Sequence, residues 1–175
     1  MIKRKLLVLS TAAIVAAGGL FPKNLFAQEM SMQILSAAFT QDTTIPVKYT
    51  CQGKDVNPSL SVLDTPEGTK SLALIVDDPD APNGMWVHWV VYNISPTKTM
   101  INEKTIPGQQ GLNDFGKYNY GGPCPPSGTH RYFFKVYALD KMITPKKDMT
   151  KKELEEAMKG HVLAKAELMG LYKKK

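Results

Sequence analysis

The sequence predicts a mainly β fold, in which an antiparallel sheet or sandwich is flanked by one helix near the C-terminus. Several short runs are rich in β-branched and aromatic residues and are separated by clusters of Gly, Pro and Asn, which is the pattern of strands joined by turns. Only one segment, late in the chain, has helical spacing. Because strands and helices do not alternate regularly, we expect an antiparallel arrangement and not a doubly wound parallel sheet.

The first half of the chain contains four candidate strands. Residues 32–39 are predicted to form the first. Residues 45–50 are predicted to form the second, at a sheet edge, because Pro46 cannot donate a hydrogen bond to a neighbouring strand. Residues 57–62 are a short extended piece, and a turn signal follows at residues 65–68. Residues 71–76 are a continuous apolar run bounded by turn residues, as expected of a buried strand.

The two strongest strands come next, and each carries a histidine near its start. Residues 86–94 are rich in valine and aromatic residues. A period of two predicts one face with Trp86, His88, Val90 and Tyr92 and another with Val87, Trp89 and Val91. Residues 130–139 have the same design, with His130, Tyr132 and Phe134 on one face. The stretch between them, residues 107–128, is long for a loop, and such loops are often functional.

One helix is predicted, and it begins with a capping box. Thr150 is followed three residues later by Glu153, a pair that satisfies free N–H groups at a helix start. Apolar residues then recur every four positions, at Leu154, Met158, Val162 and Ala166. Gly170 is a candidate for the residue that ends the helix. We therefore expect an amphipathic helix that runs to about Gly170 and packs against the sheet.

The first 27 residues have the layout of a secretory signal peptide. A basic start, residues 1–5, precedes an apolar run, residues 6–20, and a short segment that ends at Ala27. The apolar run is short and rich in Ala and Gly for a membrane span, although an uncleaved N-terminal anchor is the alternative. We expect cleavage after Ala27 and a single exported domain, residues 28–175, that is periplasmic or secreted.

Removal of this leader changes what the net charge implies. The full chain has 22 Lys and Arg against 16 Asp and Glu, a net charge of +6. Four of these bases and no acid lie in residues 1–27, so the remainder carries only +2, and residues 173–175 are a lysine tail. The excess of bases is therefore not evidence for a nucleic-acid partner.

Two cysteines remain in the predicted exported domain, Cys51 and Cys124. An even number of cysteines in an oxidising compartment indicates a disulfide. The alternative is two free thiols, with Cys124 reactive.

Two proline-rich loops hold the residues that can carry chemistry. We name residues 78–82, Asp-Pro-Asp-Ala-Pro, the Asp-Pro loop and residues 122–126, Gly-Pro-Cys-Pro-Pro, the Cys-Pro loop. Prolines restrict the backbone of the loop, so the polar side chains are held in place before a ligand arrives. Glycine lets a ligand approach the backbone closely, and free N–H groups can bind an anion. Together the loops favour a small-ligand pocket, although each alone is also compatible with an ordinary turn.

The two loops, with Trp86-Val87-His88-Trp89 after the first and His130-Arg131-Tyr132 after the second, resemble the signature regions of the phosphatidylethanolamine-binding protein (PEBP) family. The compact spacing, together with the Tyr49-Thr50-Cys51 segment and Cys124, is similar to the bacterial Raf-kinase-inhibitor-like YbhB/YbcL branch. The resemblance covers residues 32–171 and implies an antiparallel two-sheet β fold. It also implies a non-enzymatic pocket for phosphate or a phosphorylated head group, with no cofactor and no metal.

Transferred position by position, the resemblance assigns ten residues to this pocket: Asp78, Asp80, Pro82, His88, Gly122, Pro123, Cys124, Pro125, His130 and Tyr132. Our hypothesis is that His88 and His130 donate hydrogen bonds to the anion, while Asp78 and Asp80 either orient the imidazoles or bind the ammonium of a zwitterionic ligand. The Tyr132 hydroxyl is a further donor.

Three other functions compete with this hypothesis. Cys124 and His130 are candidates for the nucleophile and base of a hydrolase, provided that Cys124 is not bonded to Cys51. Two histidines and two carboxylates are acceptable zinc ligands, although their spacing matches no known metal motif. The chain is also a candidate for an inhibitor or interaction module that acts on an extracytoplasmic or host protease or kinase, although nothing in the sequence names a partner.

Overall fold

The computed structural model describes residues 31–175, so the predicted signal peptide lies outside the described residues. No helix within residues 31–175 combines the length and apolar character needed to cross a bilayer. The described part contains one α-helix, a single turn of 3-10 helix at Val47–Tyr49, and nine strands. Their bounds are β1 Gln33–Ser36, β2 Thr43–Thr44, β3 Leu60–Leu63, β4 Ser71–Asp78, β5 Trp86–Ile94, β6 Met100–Ile101, β7 Gln109–Gln110, β8 Thr129–Leu139, α1 Lys151–Met158 and β9 Val162–Lys173.

The strands form two sheets, as the sequence predicts. The smaller sheet has the order β1-β3-β6 and the larger has the order β2-β9-β8-β4-β5-β7. Every pairing is antiparallel except that of the short β2 with β9. The mainly β, two-sheet fold class is therefore confirmed.

The larger sheet has a hydrophobic core on each of its faces. Between the two sheets, side chains such as Ile34, Val62, Trp89 and Phe134 form the main core. On the opposite face, Leu154 and Met158 of α1 pack on a second core that includes Val90 and Tyr92. Strand β4 lies in the middle of the large sheet and is buried along its whole length, which explains its continuous apolar sequence.

The predicted edge strand at residues 45–50 is wrong. Pro46 instead caps the 3-10 turn, and its carbonyl accepts a hydrogen bond from the Tyr49 amide at 2.9 Å. Proline suits this position because its fixed φ is compatible with a helical start and its missing N–H is not needed there. The first strand is also shorter than predicted, since β1 covers only Gln33–Ser36 of residues 32–39.

The C-terminal helix is correctly located but is much shorter than predicted. The capping box of Thr150 and Glu153 is present, but α1 ends at Met158, and Gly160 then adopts φ +74°. The following residues, including Ala166 and Gly170, belong to β9, which pairs with β8 along its whole length. A spacing of four residues places side chains on one face of a helix and also on one face of a strand, because four is a multiple of two. The sequence pattern at residues 162–170 therefore did not distinguish the two.

The two cysteines form a disulfide between Cys51 and Cys124, so the alternative of free thiols is wrong. The bond joins the Cys-Pro loop to the turn that follows the 3-10 helix. The same junction is closed by backbone hydrogen bonds, including one from the Cys51 amide to the Pro123 carbonyl at 3.2 Å.

Loss of the disulfide is expected to destabilise the fold strongly. The bond closes a loop of 73 residues, for which the chain-entropy model gives about 4 kcal/mol. Urea unfolding of the oxidised protein and of a Cys51→Ser/Cys124→Ser double variant measures the difference. Equal free energies of unfolding would contradict the prediction.

Candidate functional site

Residues of the two proline-rich loops line one cavity at the ends of β4, β5 and β8. Its volume is about 220 Å³. Twelve residues line it: Asp78, Ala81, Pro82, Asn83, Trp86, His88, Phe115, Cys124, Pro125, Pro126, His130 and Tyr132. Seven of the ten residues assigned from the sequence are among them, and the other three, Asp80, Gly122 and Pro123, lie outside the lining. Five lining residues were missed: Ala81, Asn83, Trp86, Phe115 and Pro126.

Asp78 and His130 form a buried pair, and both residues line the cavity. The His130 Nδ1 atom lies 2.7 Å from Asp78 Oδ2, and both side chains are more than nine-tenths buried. The carboxylate accepts, so Nδ1 carries the hydrogen and the Nε2 atom of His130 is left for other partners. The second carboxylate oxygen, Oδ1, accepts a hydrogen bond from the Asp80 amide at 2.8 Å. Asp78 therefore orients the imidazole with both of its oxygens engaged.

A β-bulge in β5 directs the side chain of His88 into the cavity. In the pairing of β4 with β5, Val76 lies opposite Trp89 while Asp77 lies opposite Val87, so His88 is the extra residue. Its ring contacts that of Tyr132, with centroids 5.2 Å apart, and Tyr132 belongs to the same core as Trp89. Val90 packs in the core on the opposite face. The predicted strict alternation along β5 is therefore wrong at this point.

The hydrogen bonding of His88 fixes its tautomer. Nδ1 lies 2.7 Å from the carbonyl oxygen of Gly121, which can only accept, so Nδ1 carries the hydrogen. Burial lowers the pKa of His88, and this outweighs the opposing effects of the Gly121 carbonyl and the Asp78 charge. The ring is therefore neutral near pH 7, and its Nε2 atom is an acceptor.

The buried hydroxyl group of Tyr132 makes no well-aligned hydrogen bond within residues 31–175, although it lies close to the Asp78 carboxylate and the Cys124 backbone. Burial, with a smaller contribution from the Asp78 charge, raises the pKa of Tyr132, so the hydroxyl keeps its hydrogen. A buried hydroxyl without a partner costs free energy unless something binds to it. Because Tyr132 lines the cavity, the group that completes its hydrogen bonding is expected to come from a ligand or water.

Asp80 is engaged with Arg131 and does not line the cavity. Its two oxygens accept from the Arg131 Nε and Nη2 atoms at 2.9 and 2.7 Å, and one also accepts from the Arg131 amide. This bidentate contact lowers the pKa of Asp80 to about 2. Asp80 therefore fixes the start of β8 beside the Asp-Pro loop.

Gly122 and Pro123, the first two residues of the Cys-Pro loop, lie outside the cavity lining and anchor the loop to neighbouring parts of the chain. The Gly122 amide donates to Asp55 Oδ1 at 2.6 Å, and a Cβ atom at this glycine would lie 2.5 Å from the Tyr49 carbonyl oxygen. Glycine is therefore required here for close packing. These two residues position Cys124 and Pro125, which do line the cavity.

Two aromatic residues that the sequence analysis missed form part of the cavity wall. The rings of Trp86 and Phe115 meet edge to face with centroids 5.4 Å apart, and Phe115 lies 5.3 Å from the ring of His88. Trp86 could have been found, because it stands two residues before His88 at the start of the strongest strand. Phe115 lies in an irregular loop, where no periodicity indicates the direction of its side chain.

The cavity has little fixed charge. Its lining contains no lysine or arginine, and its only acid, Asp78, is paired with His130. Within the described part of the chain, no group of three or more His, Cys, Asp or Glu side chains is arranged to hold a metal ion. An anion in this cavity therefore depends on the Tyr132 hydroxyl, on backbone amides and on protons carried by the imidazoles.

Comparisons with known proteins agree on one family. Residues 35–173 match the family model described as phosphatidylethanolamine-binding protein. A UPF0098 protein of Chlamydia pneumoniae is 49% identical over 149 residues, covering 82% of this chain and 99% of the relative.

Two solved structures have the same fold. The crystal structure of a PEBP homologue described as putative, from Chlamydia trachomatis, has a TM-score of 0.81 and 48% identity, and covers 83% of this chain and 99% of the other. The crystal structure of YbcL from Escherichia coli, described as a member of the mammalian PEBP family, has a TM-score of 0.77 and 33% identity with the same coverage.

Removal of the Tyr132 hydroxyl is expected to cost no stability. Tyr132→Phe deletes a buried hydroxyl that makes no well-aligned hydrogen bond, so the free energy of unfolding should stay the same or rise by about 1 kcal/mol. Tyr120→Phe is the matched control, because the Tyr120 hydroxyl donates to the Tyr49 carbonyl at 3.0 Å and its loss should cost about 1 kcal/mol. Urea unfolding without ligand compares the two variants. A larger loss for Tyr132→Phe than for Tyr120→Phe would show that the Tyr132 hydroxyl has a structural partner.

Proposed function

Because the chain belongs to the phosphatidylethanolamine-binding protein family, we propose that it is a binding protein whose cavity holds a phosphate group, free or as part of a small phosphorylated compound. One observation carries the proposal. Three polar groups, His88 Nε2, His130 Nε2 and Tyr132 Oη, belong to residues that line one cavity, and none makes a well-aligned hydrogen bond to the described residues.

The size and the walls of the cavity support a small, rigidly held ligand. A volume of about 220 Å³ lies below the usual range of about 300–1,000 Å³ for small-molecule sites, so a phosphoryl group fits better than a large ligand. The Cys-Pro loop is held by the disulfide and by the contact of Gly122 with Asp55. A site formed in advance loses little entropy when a ligand binds.

The state of the imidazoles makes binding of an anion depend on protons. The Nδ1 hydrogens of His88 and His130 are already donated to Gly121 and Asp78, so in the neutral rings both Nε2 atoms are acceptors. A dianion needs donors at those positions. It therefore binds well only when an imidazole takes up a proton or when the anion brings its own.

The hydrolase alternative loses its nucleophile. Cys124 is bonded to Cys51, and a disulfide sulfur cannot act as a thiolate. Binding thus remains our proposal over catalysis by Cys124 and His130.

As a second proposal, ligand occupancy changes how the chain contacts a protein partner. Phe115, which lines the cavity, and Met85, which lies just before Trp86 in the chain, are both exposed and offer apolar surface for such a contact.

Affinity for a dianion that carries no proton of its own is expected to rise as the pH falls. An anion near His88 raises the depressed pKa of its imidazole, so binding is strongest below the free-state pKa and is lost as the pH rises through the bound-state pKa. Sulfate is the suitable probe because it does not titrate near neutrality. Because the pKa of His88 in the free protein lies below the ordinary histidine value of about 6.5, calorimetry from about pH 8 down to about pH 5 should show an affinity that rises by at least tenfold.

The variant His88→Gln tests the origin of that gain. Glutamine keeps a polar group but cannot take up the proton, so the pH dependence should become shallower, and Tyr132→Phe should weaken binding at every pH. His161→Gln is the control, because His161 contacts Asp140 on the surface outside the cavity. A sulfate affinity that is constant with pH would refute the role given to the imidazoles.

We also propose that the chain is exported and cleaved after Ala27. Expression of the full chain in a bacterium should give an extracytoplasmic protein whose first residue is Gln28. N-terminal sequencing of the extracytoplasmic fraction measures this. Retention of Met1 on a membrane-bound product would support the uncleaved anchor instead.

A further inference from the structure

Each oxygen of the two carboxylates in the Asp-Pro loop already accepts at least one hydrogen bond from the chain. Asp78 accepts from His130 and from the Asp80 amide, one on each oxygen. Asp80 accepts from Arg131 on both oxygens and lies outside the lining. The geometry therefore favours a role of these acids in orienting His130 and Arg131 over the binding of an ammonium group. We therefore consider another part of the lining for a cation that accompanies the phosphoryl group.

Two aromatic rings line the cavity beside His88, next to the position proposed for the phosphoryl group. The ring of Phe115 is 5.3 Å from that of His88 and 5.4 Å from that of Trp86, and all three residues line the cavity. Phe115 is 40% exposed, so it belongs to the part of the cavity that opens to solvent. The faces of aromatic rings attract cations, and tryptophan does so most strongly.

We propose that Trp86 and Phe115 form a subsite for the cationic end of a zwitterionic phosphoester, and that the subsite favours a quaternary ammonium over a primary one. This inference rests on the proposed function, because the phosphoryl group is placed against His88, His130 and Tyr132. Phe115 contacts both His88 and Trp86, so the two rings adjoin a residue against which the phosphoryl group is placed.

The preference for a quaternary ammonium follows from the hydrogen bonding. A primary ammonium gives up strong hydrogen bonds to water on entering the cavity and needs acceptors in return, but each acid oxygen already accepts from the chain and Asp80 lies outside the lining. A trimethylated ammonium has no N–H groups and loses less on leaving water, while its charge still interacts with the ring faces. No lysine or arginine in the lining competes for those faces.

Titration calorimetry at about pH 6, near the ordinary histidine pKa, tests the subsite with four ligands of graded structure. They are inorganic phosphate, phosphoethanolamine, phosphocholine and 3,3-dimethylbutyl phosphate, which has the shape of phosphocholine without its positive charge. Phosphocholine is expected to bind about three- to tenfold more tightly than phosphoethanolamine and than its uncharged analogue. Equal affinities for phosphocholine and the analogue would overturn the cation subsite.

Two variants locate the effect. In Phe115→Leu, the ratio of the affinities for phosphocholine and its uncharged analogue should fall toward one. In Tyr118→Leu, the control, the ratio should be unchanged, because Tyr118 is a nearby exposed aromatic residue that does not line the cavity. A thermal melt of each variant establishes that it folds, and the comparison of ligands on the unchanged protein does not depend on either.

The results separate the two proposals. If phosphate binds but phosphocholine has no advantage, the aromatic subsite is wrong and the phosphate site stands. If none of the four ligands binds at millimolar concentration, both are wrong. A ratio that stays high in Phe115→Leu and falls in Tyr118→Leu would place the cation elsewhere and overturn the assignment.

Discussion

Two adjacent acids at the end of the central strand β4 organise both faces of the large sheet. Asp77 is fully buried and accepts hydrogen bonds from Lys135 at 2.7 and 2.8 Å and from Lys151, the first residue of α1, at 2.7 Å. Asp78 holds His130 at 2.7 Å in the cavity. A buried carboxylate is tolerated only with such partners, so the end of β4 fixes the helix on one face and the candidate site on the other.

The rest of the site depends on how little its parts can move. One extra residue in β5 directs His88 to the cavity, and the Gly121 carbonyl holds its ring. The disulfide and the contacts of Gly122 hold the facing wall. The arrangement leaves Tyr132 with a buried hydroxyl that makes no well-aligned hydrogen bond, a cost to the unliganded fold that a ligand can offset.

The sequence was sufficient for features set by local chemistry and insufficient for those set by pairing. Proline-rich loops, the buried strand β4 and the capping box follow from residue types at fixed spacing, and the disulfide follows from an even number of cysteines in a chain predicted to be exported. The bulge at His88 does not, because it exists only in the register between β4 and β5. The sequence did not reveal the change from α1 to β9, because a four-residue spacing places side chains on one face of a helix and also on one face of a strand. Phe115 had no signal at all, since its position is set by contacts with Trp86 and His88.

The absence of fixed cations in the lining determines what kind of selectivity the site can have. A pocket lined with lysine or arginine attracts any anion through a permanent field. Here the one acid of the lining is hydrogen-bonded to His130, and the lining contains no lysine or arginine. The charge of a bound anion must then be balanced by protons on the imidazoles or by a cation in the same ligand. In the proposed site, selectivity therefore resides in the proton content of the anion and in what the ligand presents to Trp86 and Phe115. Both are properties of the ligand that a nonspecific electrostatic site would not distinguish.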